Sequence, residues 1–424
     1  MSCYHPLLRS PRLETSSSIA VDANGEVKYS IRGMTRGEYD LYHNGNMSWL
    51  LPGVQLIPCG HCVGCKLDYS RTWADRMLLE LQSAHGHAVY VTLTYAPESV
   101  PLGTYRDNNG CCHSSYTLFK PDLQVFLKNL RARYSGNGDF KDFPERRIRF
   151  YAAGEYGEFT LRPHYHVILF GLDLDDIKAT PSLTPLGDPV LNHMGDPYYN
   201  SPVLEDVWTR TLKARLIKSA DPRIHDFVSG GLVSIGAVSW RSCAYVARYV
   251  TKKWNSGFSD KKQFSRIVHL PATVEWIDSP DGRRRIEDIP ERDVVEECDS
   301  YTFFGVEPEF SLMSRMPGIA GLFLDDWIAA HPDQDIIDYA SVSVADQTSG
   351  KAVKVPKYFR RRYKDSPDLA DNLKYSELVT RLGLAAESRT ALELSKTDLD
   401  YIDYLAVKEH NHLKSLNVLS RHKV

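Results

Sequence analysis

The chain has 424 residues, 42% apolar and 25% charged, with 24 Tyr, 15 Phe and 7 Trp. That much buriable surface excludes a disordered chain. With 51 Lys and Arg against 54 Asp and Glu, the net charge of −3 argues against a uniformly basic nucleic-acid binder. The total conceals patterning: acids dominate Glu275 to Asp299, and bases are dense from Lys351 to Lys364. No apolar run reaches the roughly 18 residues a membrane-crossing helix needs, so no membrane partner is expected. Met1 to Pro11 lacks an apolar signal segment.

Residues 1 to 58 read as an irregular lead-in broken by Gly, Asn, Pro and Ser. Cys59, Cys62 and Cys65 follow at two-residue spacing in Pro58-Cys59-Gly60-His61-Cys62-Val63-Gly64-Cys65. Without a secretion signal these are expected to be reduced thiols. The spacing fits a structural Zn²⁺ site whose fourth ligand is Cys3 or His61; free cysteines at a helix start are the plain alternative.

From Tyr69 to His85, Trp73, Met77, Leu78 and Leu81 recur at helical spacing. Val89 to Tyr95 is β-branched and aromatic, a strand ended by Pro97. Lys120 to Tyr134 carries Pro121 in a first-turn position and places Leu123, Phe126, Leu127 and Leu130 on one helical face. Arg147 to Ala153 alternates as a strand with a basic-aromatic face of Arg147, Arg149 and Tyr151. Gly154 to Gly157 reads as a turn, and His164 to Phe170 as an antiparallel neighbour strand. Leu204 to Ile217 is helical, Leu232 to Val238 a strand, and Ser239 to Lys253 a helix with a Ser cap. This order predicts an α+β fold with a central antiparallel sheet and packed helices. The expected divisions are 1–86 (lead-in, Cys cluster and helix), 87–256 (core) and 257–424 (a less regular C-terminal region).

Three stretches carry candidate chemistry. In Arg162-Pro163-His164-Tyr165-His166, strand alternation turns both imidazoles to one face. With the Glu155 carboxylate brought beside them, two His and one carboxylate suit Mg²⁺ or Mn²⁺, and can also hold Zn²⁺. Two solvent-facing histidines and an ordinary surface acid are the plain alternative. Tyr245 and Tyr249 stand one helical turn apart, with Lys252 and Lys253 just beyond. Helical tyrosines usually pack; a phenol becomes a nucleophile only where a neighbour favours phenolate. The Tyr90 to Tyr95 strand, with Thr92 and Thr94, is adequately read as core.

Taken in order, Thr92-Leu93-Thr94-Tyr95, Gly154-Glu155-Tyr156-Gly157, His164-Tyr165-His166 and Tyr245-Val246-Ala247-Arg248-Tyr249-Val250-Thr251-Lys252-Lys253 resemble the HUH endonuclease superfamily of rolling-circle initiators. They are most similar to the replication proteins of small single-stranded DNA phages, the gokushovirus-type Microviridae. Pro58-Cys59-Gly60-His61-Cys62 and Met313-Ser314-Arg315-Met316-Pro317-Gly318-Ile319 are further shared pieces. The acidic stretch and Cys243, where alanine is expected, depart from the pattern.

The resemblance implies an endonuclease core at 87–256. His164, His166 and Glu155 would hold the catalytic divalent cation, and Tyr245 or Tyr249 would attack the scissile phosphate. Lys252 or Lys253 would stabilise the charge, while Arg147, Arg149 and Tyr151 would grip the strand. The products are a 5′-phosphotyrosine and a 3′-OH that a host DNA polymerase extends with a host helicase, after which the product is rejoined. The implied partner is a single-stranded DNA origin and the implied location the bacterial host's cytoplasm. Two rival classes are a metal-dependent phosphoesterase without covalent tyrosine and a non-catalytic zinc-dependent single-strand binder.

Overall fold

The computed structural model describes residues 3–12, 19–23, 27–33, 35, 55–106, 111–143, 146–157, 160–191, 195–216, 230–252, 262–270, 273–279, 282–289, 292–347 and 349–421. Within 249–252, 262–304 and 416–421, and at 55, 216 and 387, it describes the backbone alone. The chain forms two compact units: Met1–Trp73, Gln334–Val342 and Lys354–Val424 make one, Ala74–Asp333 and Ser343–Val353 the other.

The second unit is built on a seven-stranded sheet. Its strands are β1 (Ala88–Leu93), β2 (Arg149–Tyr156), β3 (Pro163–Phe170), β4 (Thr180–Pro181), β5 (Tyr199–Asn200), β6 (Val233–Gly236) and β7 (Phe310–Met313). They lie in the order β7-β2-β3-β1-β6-β5-β4, and every neighbouring pair is antiparallel. The α+β class expected from the sequence is observed.

Strand alternation gives this sheet two different faces. On one, Val89, Val91, Leu93, Tyr165, Val167, Leu169 and Ile235 are buried together with residues from two helices. These are α2 (Lys120–Arg133), contributing the expected Leu123, Phe126, Leu127 and Leu130, and α3 (Pro202–Leu216), contributing Leu204, Val207, Trp208 and Leu212. Burying such a stripe stabilises by about 1.5–3 kcal/mol per large side chain. Trp208 Nε1 donates to Thr94 O at 2.7 Å, which satisfies the one polar atom of its ring.

The other face is polar. Helix α4 (Trp240–Lys252) packs over β2 and β3 there, burying Cys243, Val246 and Ala247. Cys243 has no exposed surface, so it serves as a small core residue. Helix α1 (Val63–Ser83) begins before the expected Tyr69; its Ala74, Met77, Leu78 and Leu81 form a buried i, i+3, i+4, i+7 stripe.

Three expectations are corrected. Gly154 to Tyr156 continue β2 and are not a turn, because the pairing runs through to Tyr156 opposite Pro163. Gly154 is required for space: a Cβ there would sit 3.0 Å from the Phe310 ring and 3.1 Å from Leu118. Arg149 and Tyr151 do not form an exposed grip. Arg149 is buried in an ion pair with Glu80 and donates to Pro317 O (2.7 Å) and Gly318 O (3.1 Å); Arg147 donates to Met316 O. The Met313 to Ile319 motif is thus clasped by arginines, with Arg76 Nη2 on Ile319 O at 2.8 Å.

The lead-in is also more regular than expected. In the first unit, strands Tyr29–Gly33, Leu7–Pro11 and Gln55–Ile57 form an antiparallel sheet in that order. Three helices complete this unit: α6 (Lys357–Lys364), α7 (Leu369–Leu394) and α8 (Tyr401–Arg421). Tyr4 Oη meets His412 Nδ1 at 2.8 Å within it. Back in the second unit, the region past Trp254 supplies β7, helix α5 (Gly321–Ala330) and the antiparallel backbone of 262–304. The acidic side chains of Glu275 to Asp299 lie outside the described residues.

The Glu80–Arg149 pair gives a test. Arg149→Met strands a buried carboxylate, and the expected loss is about 3–5 kcal/mol of unfolding free energy, read as a shift in urea midpoint at constant slope.

Candidate active site and metal centres

On the polar face, register brings Glu155 opposite His164 and Thr92 opposite His166. His164 Nε2 lies 2.5 Å, and His166 Nε2 3.0 Å, from the same Glu155 oxygen, Oε1. One ligand atom from each of the three residues lies within 4.8 Å of the others. Both rings therefore aim the same nitrogen at one point, and the carboxylate comes from the strand itself.

The second nitrogen of each ring is engaged. His164 Nδ1 is 3.2 Å from Arg162 O. His166 Nδ1 is 2.6 Å from Tyr90 Oη and 3.0 Å from Thr92 Oγ1. Such partners fix ring orientation, as in metal-binding histidines. Sequence reading assigned the Tyr90–Thr92 strand to the core alone and missed these two residues; only strand register sets them beside His166.

The electrostatics follow from burial. Burial disfavours the Glu155 carboxylate, yet hydrogen bonds from His164 and His166 outweigh it and hold the carboxyl below its ordinary value. Burial lowers the His166 pKa, and Glu155 only partly offsets this, so the imidazole is neutral and can ligate a metal. Burial raises the Tyr90 phenol well above its ordinary value. Tyr90 is therefore a hydrogen-bonding group for His166 and a poor nucleophile.

Tyr245 stands against this cluster, its ring meeting the His166 ring edge-on with centroids 5.3 Å apart. Its helix is held at the start. Ser242 N–H donates to Ser239 Oγ (3.2 Å) and Ser239 N–H to Ser242 Oγ (2.9 Å), a reciprocal cap that bears out the expected Ser. Trp240 N–H donates to Asp346 Oδ2 at 2.9 Å. Gln347 accepts from Val238 N (2.6 Å) and donates to Ala88 O (2.8 Å), tying the entry of α4 to β1. The backbone of Tyr249 and Lys252 continues α4, but their side chains, and all of Lys253, lie outside the described residues.

The cysteine cluster closes with Cys3, not His61. The Sγ atoms of Cys3, Cys59, Cys62 and Cys65 lie within 4.8 Å of one another. Gly60 takes φ +80°, a left-handed turn that a side chain would strain. It lets the His61 and Cys62 N–H groups donate to Cys59 Sγ at 3.4 and 3.3 Å. Cys59 N donates to Cys3 Sγ and Tyr4 N to Cys62 Sγ. Burial works against the Cys59 thiolate, but these backbone donors hold its thiol below its ordinary value. Burial pushes the Cys3 thiol up to about 11. A third group, His87, Asp173 and Asp176, also converges, but Arg146 already pairs with both of its carboxylates.

Residues 88–254 match the family model of the replication-associated protein ORF2. This stretch belongs to that family. It runs from the start of β1 through the end of α4 and so contains both histidines, Glu155 and Tyr245. The chain is 30% identical over 197 residues to replication-associated protein ORF2 of Spiroplasma virus 4, covering 46% of this chain and 48% of the relative. It is 28% identical over 236 residues to replication-associated protein VP4 of Bdellovibrio phage phiMH2K, covering 56% and 59%. With replication-associated protein ORF4 of Chlamydia phage 1 it shares 27% over 204 residues, 47% and 39% of the two chains. The chain thus spans about half the length of the curated relatives it matches. No solved structure gives a significant match. The kinship with phage replication proteins read from the motifs is borne out.

The anchoring of His166 gives a second test. Tyr90→Phe and Thr92→Val remove its outer partners while keeping shape. Each is expected to weaken Mn²⁺ binding by about 10–100-fold in calorimetric titration, with the circular dichroism spectrum unchanged.

Proposed function

We propose that this protein is a replication initiator of a single-stranded DNA phage that nicks its origin by tyrosine attack. The observation that carries the reading is the Tyr245 ring beside His166 and the Glu155–His164–His166 cluster, inside the family-matched region. The three ligand atoms converge, and each imidazole is oriented by a second partner, so the residues fit a divalent cation, Mg²⁺ or Mn²⁺. Such an ion, when bound, polarises a non-bridging phosphate oxygen.

The chain's own residues do the rest. The Tyr245 oxygen attacks phosphorus, the bond to the 3′ oxygen breaks, and the phenolic proton ends on the released 3′-OH. A 5′-phosphotyrosine remains. Tyr249, one turn on, is the second nucleophile: it cleaves the regenerated origin, and the new 3′-OH attacks the first phosphotyrosine to circularise the product. Lys252 or Lys253 stabilises phenolate or phosphate charge. The reading implies a host DNA polymerase and helicase as partners and the host cytoplasm as the place of work. Helix α6 exposes Lys357, Arg361, Arg362 and Lys364 around buried Phe359 and Tyr363, a cationic surface suited to a phosphate backbone.

Cys3, Cys59, Cys62 and Cys65 are assigned to a structural Zn²⁺, supported by the four converging sulfurs and the N–H donors around them.

Incubation with single-stranded phage DNA and Mn²⁺ should give a covalent adduct that mass spectrometry maps to Tyr245 or Tyr249. Either single Phe variant should form an adduct but fail at circularisation, and the double variant should bind DNA without one. Cleavage that continues in the double variant would replace tyrosine attack by water attack, and His164→Ala should abolish cleavage in either case. For the cysteines, protein purified without chelator should carry one zinc per chain. Stripping it should lower the melting temperature of the N-terminal unit, because bound structural zinc adds directly to folding free energy.

A further inference from the structure

A cavity of about 500 Å³ opens on the polar face of the sheet, with His166 and Tyr245 on one side. The opposite wall comes from residues 182–200, where Ser182, Asp196, Tyr198 and Asn200 line it. We propose that this cavity is a base-selective pocket for the nucleotide adjoining the scissile phosphate, and that it takes a base bearing an exocyclic amino group. The proposal rests on the initiator reading of Tyr245 and names what that site recognises.

Three observations point to a base and away from a phosphate or an ion. First, the described lining holds no lysine or arginine, and its one carboxylate, Asp196, would repel a phosphate. The occupant is therefore the uncharged part of a nucleotide. Second, the volume falls in the range of small-ligand pockets, about 300–1,000 Å³, so a base with its sugar fits. Third, the lining chemistry suits a heterocycle. Tyr198 offers a ring for stacking, worth about 1–3 kcal/mol per base, and Asn200 offers an amide that can both give and accept.

Asp196 sets the preference. An ionised carboxylate only accepts hydrogen bonds, so it matches an exocyclic amine, as on cytosine, adenine or guanine. Thymine has no amine, and its single ring N–H lies between two carbonyl oxygens that face the carboxylate with like partial charge.

The wall is also pre-formed. Ser182 N donates to Tyr198 O (2.8 Å), Tyr198 N to Val190 O (2.9 Å) and Val190 N to Ser182 O (2.8 Å). Tyr199 pairs with Ile235 of β6, which ties the wall to the sheet. A pocket held by backbone bonds does not have to be ordered when DNA arrives, so its contacts go into selection.

The test uses the full-length protein, Mn²⁺ and a pool of random single-stranded oligonucleotides, with covalent adducts recovered and sequenced. The wild type should show about a tenfold preference for an amine-bearing base over thymine at a position adjoining the linkage. Asp196→Asn, which keeps shape, and Asn200→Ala should each reduce that preference at least threefold at this position alone. Non-covalent retention of the same pool on Tyr245→Phe should show the same preference without chemistry. If no adduct forms but the retained pool keeps the preference and loses it in Asp196→Asn, the tyrosine reading fails and the pocket stands. Thymine or no preference at the adjoining positions overturns the pocket, as does a preference that both pocket variants leave unchanged.

Discussion

The candidate site depends on one constraint, the antiparallel register that sets Glu155 opposite His164. Side chains alternate along a strand, so a slip of one residue would turn Glu155 to the apolar face and leave two histidines facing each other without a counter-charge. The register is fixed from outside the site. Strand β7 pairs along β2 from Tyr151 to Gly154, and Ser314 exchanges hydrogen bonds with Phe150. At the far end of the same face, the Glu80–Arg149 ion pair and the carbonyls of 317–318 hold β2 down. A catalytic geometry at one end of a strand is thus secured by buried charge at the other.

The two faces of the sheet carry different burdens. The apolar face supplies stability through α2 and α3. The polar face must satisfy every buried donor and acceptor it holds, since an unpaired one costs about 1–3 kcal/mol. Tyr90, Thr92, Glu155, His164 and His166 do this largely among themselves. Helix α4 then covers part of that face while bringing Tyr245 to it, and its entry is pinned by Asp346 and Gln347. These contacts leave the helix little freedom to carry Tyr245 away from His166.

Net charge is a poor guide to what this protein binds because many of its arginines are structural. Arg76, Arg131 and Arg149 all donate to backbone carbonyls, and Arg215 pairs with the buried Asp122. Counting them as a DNA-binding surface would overstate it, and the basic-aromatic stripe on β2 is the instance where this happened. The cationic residues that do face solvent on α6 come from a short helix whose apolar residues, Phe359 and Tyr363, are inside.

The local signals were legible in the sequence. Period-2 alternation in Ala88–Leu93 and Pro163–Phe170, the 3.6-residue stripes of α2 and α3, and the Ser239 cap gave the sheet and most of its helices. The same alternation put His164 and His166 on one face, and Cys59-x2-Cys62-x2-Cys65 marked a metal-type cluster. What the sequence could not give was distance between segments far apart in the chain. Cys3 lies 56 residues before Cys59, and Tyr90 lies 76 residues before His166; spacing rules reach only a few residues along a helix or strand. Whether Arg149 and Tyr151 faced solvent was equally undecidable, because alternation fixes which residues share a face and says nothing of what covers it. That was settled by α1 and the 316–319 carbonyls, and such coverage is a property of tertiary packing alone.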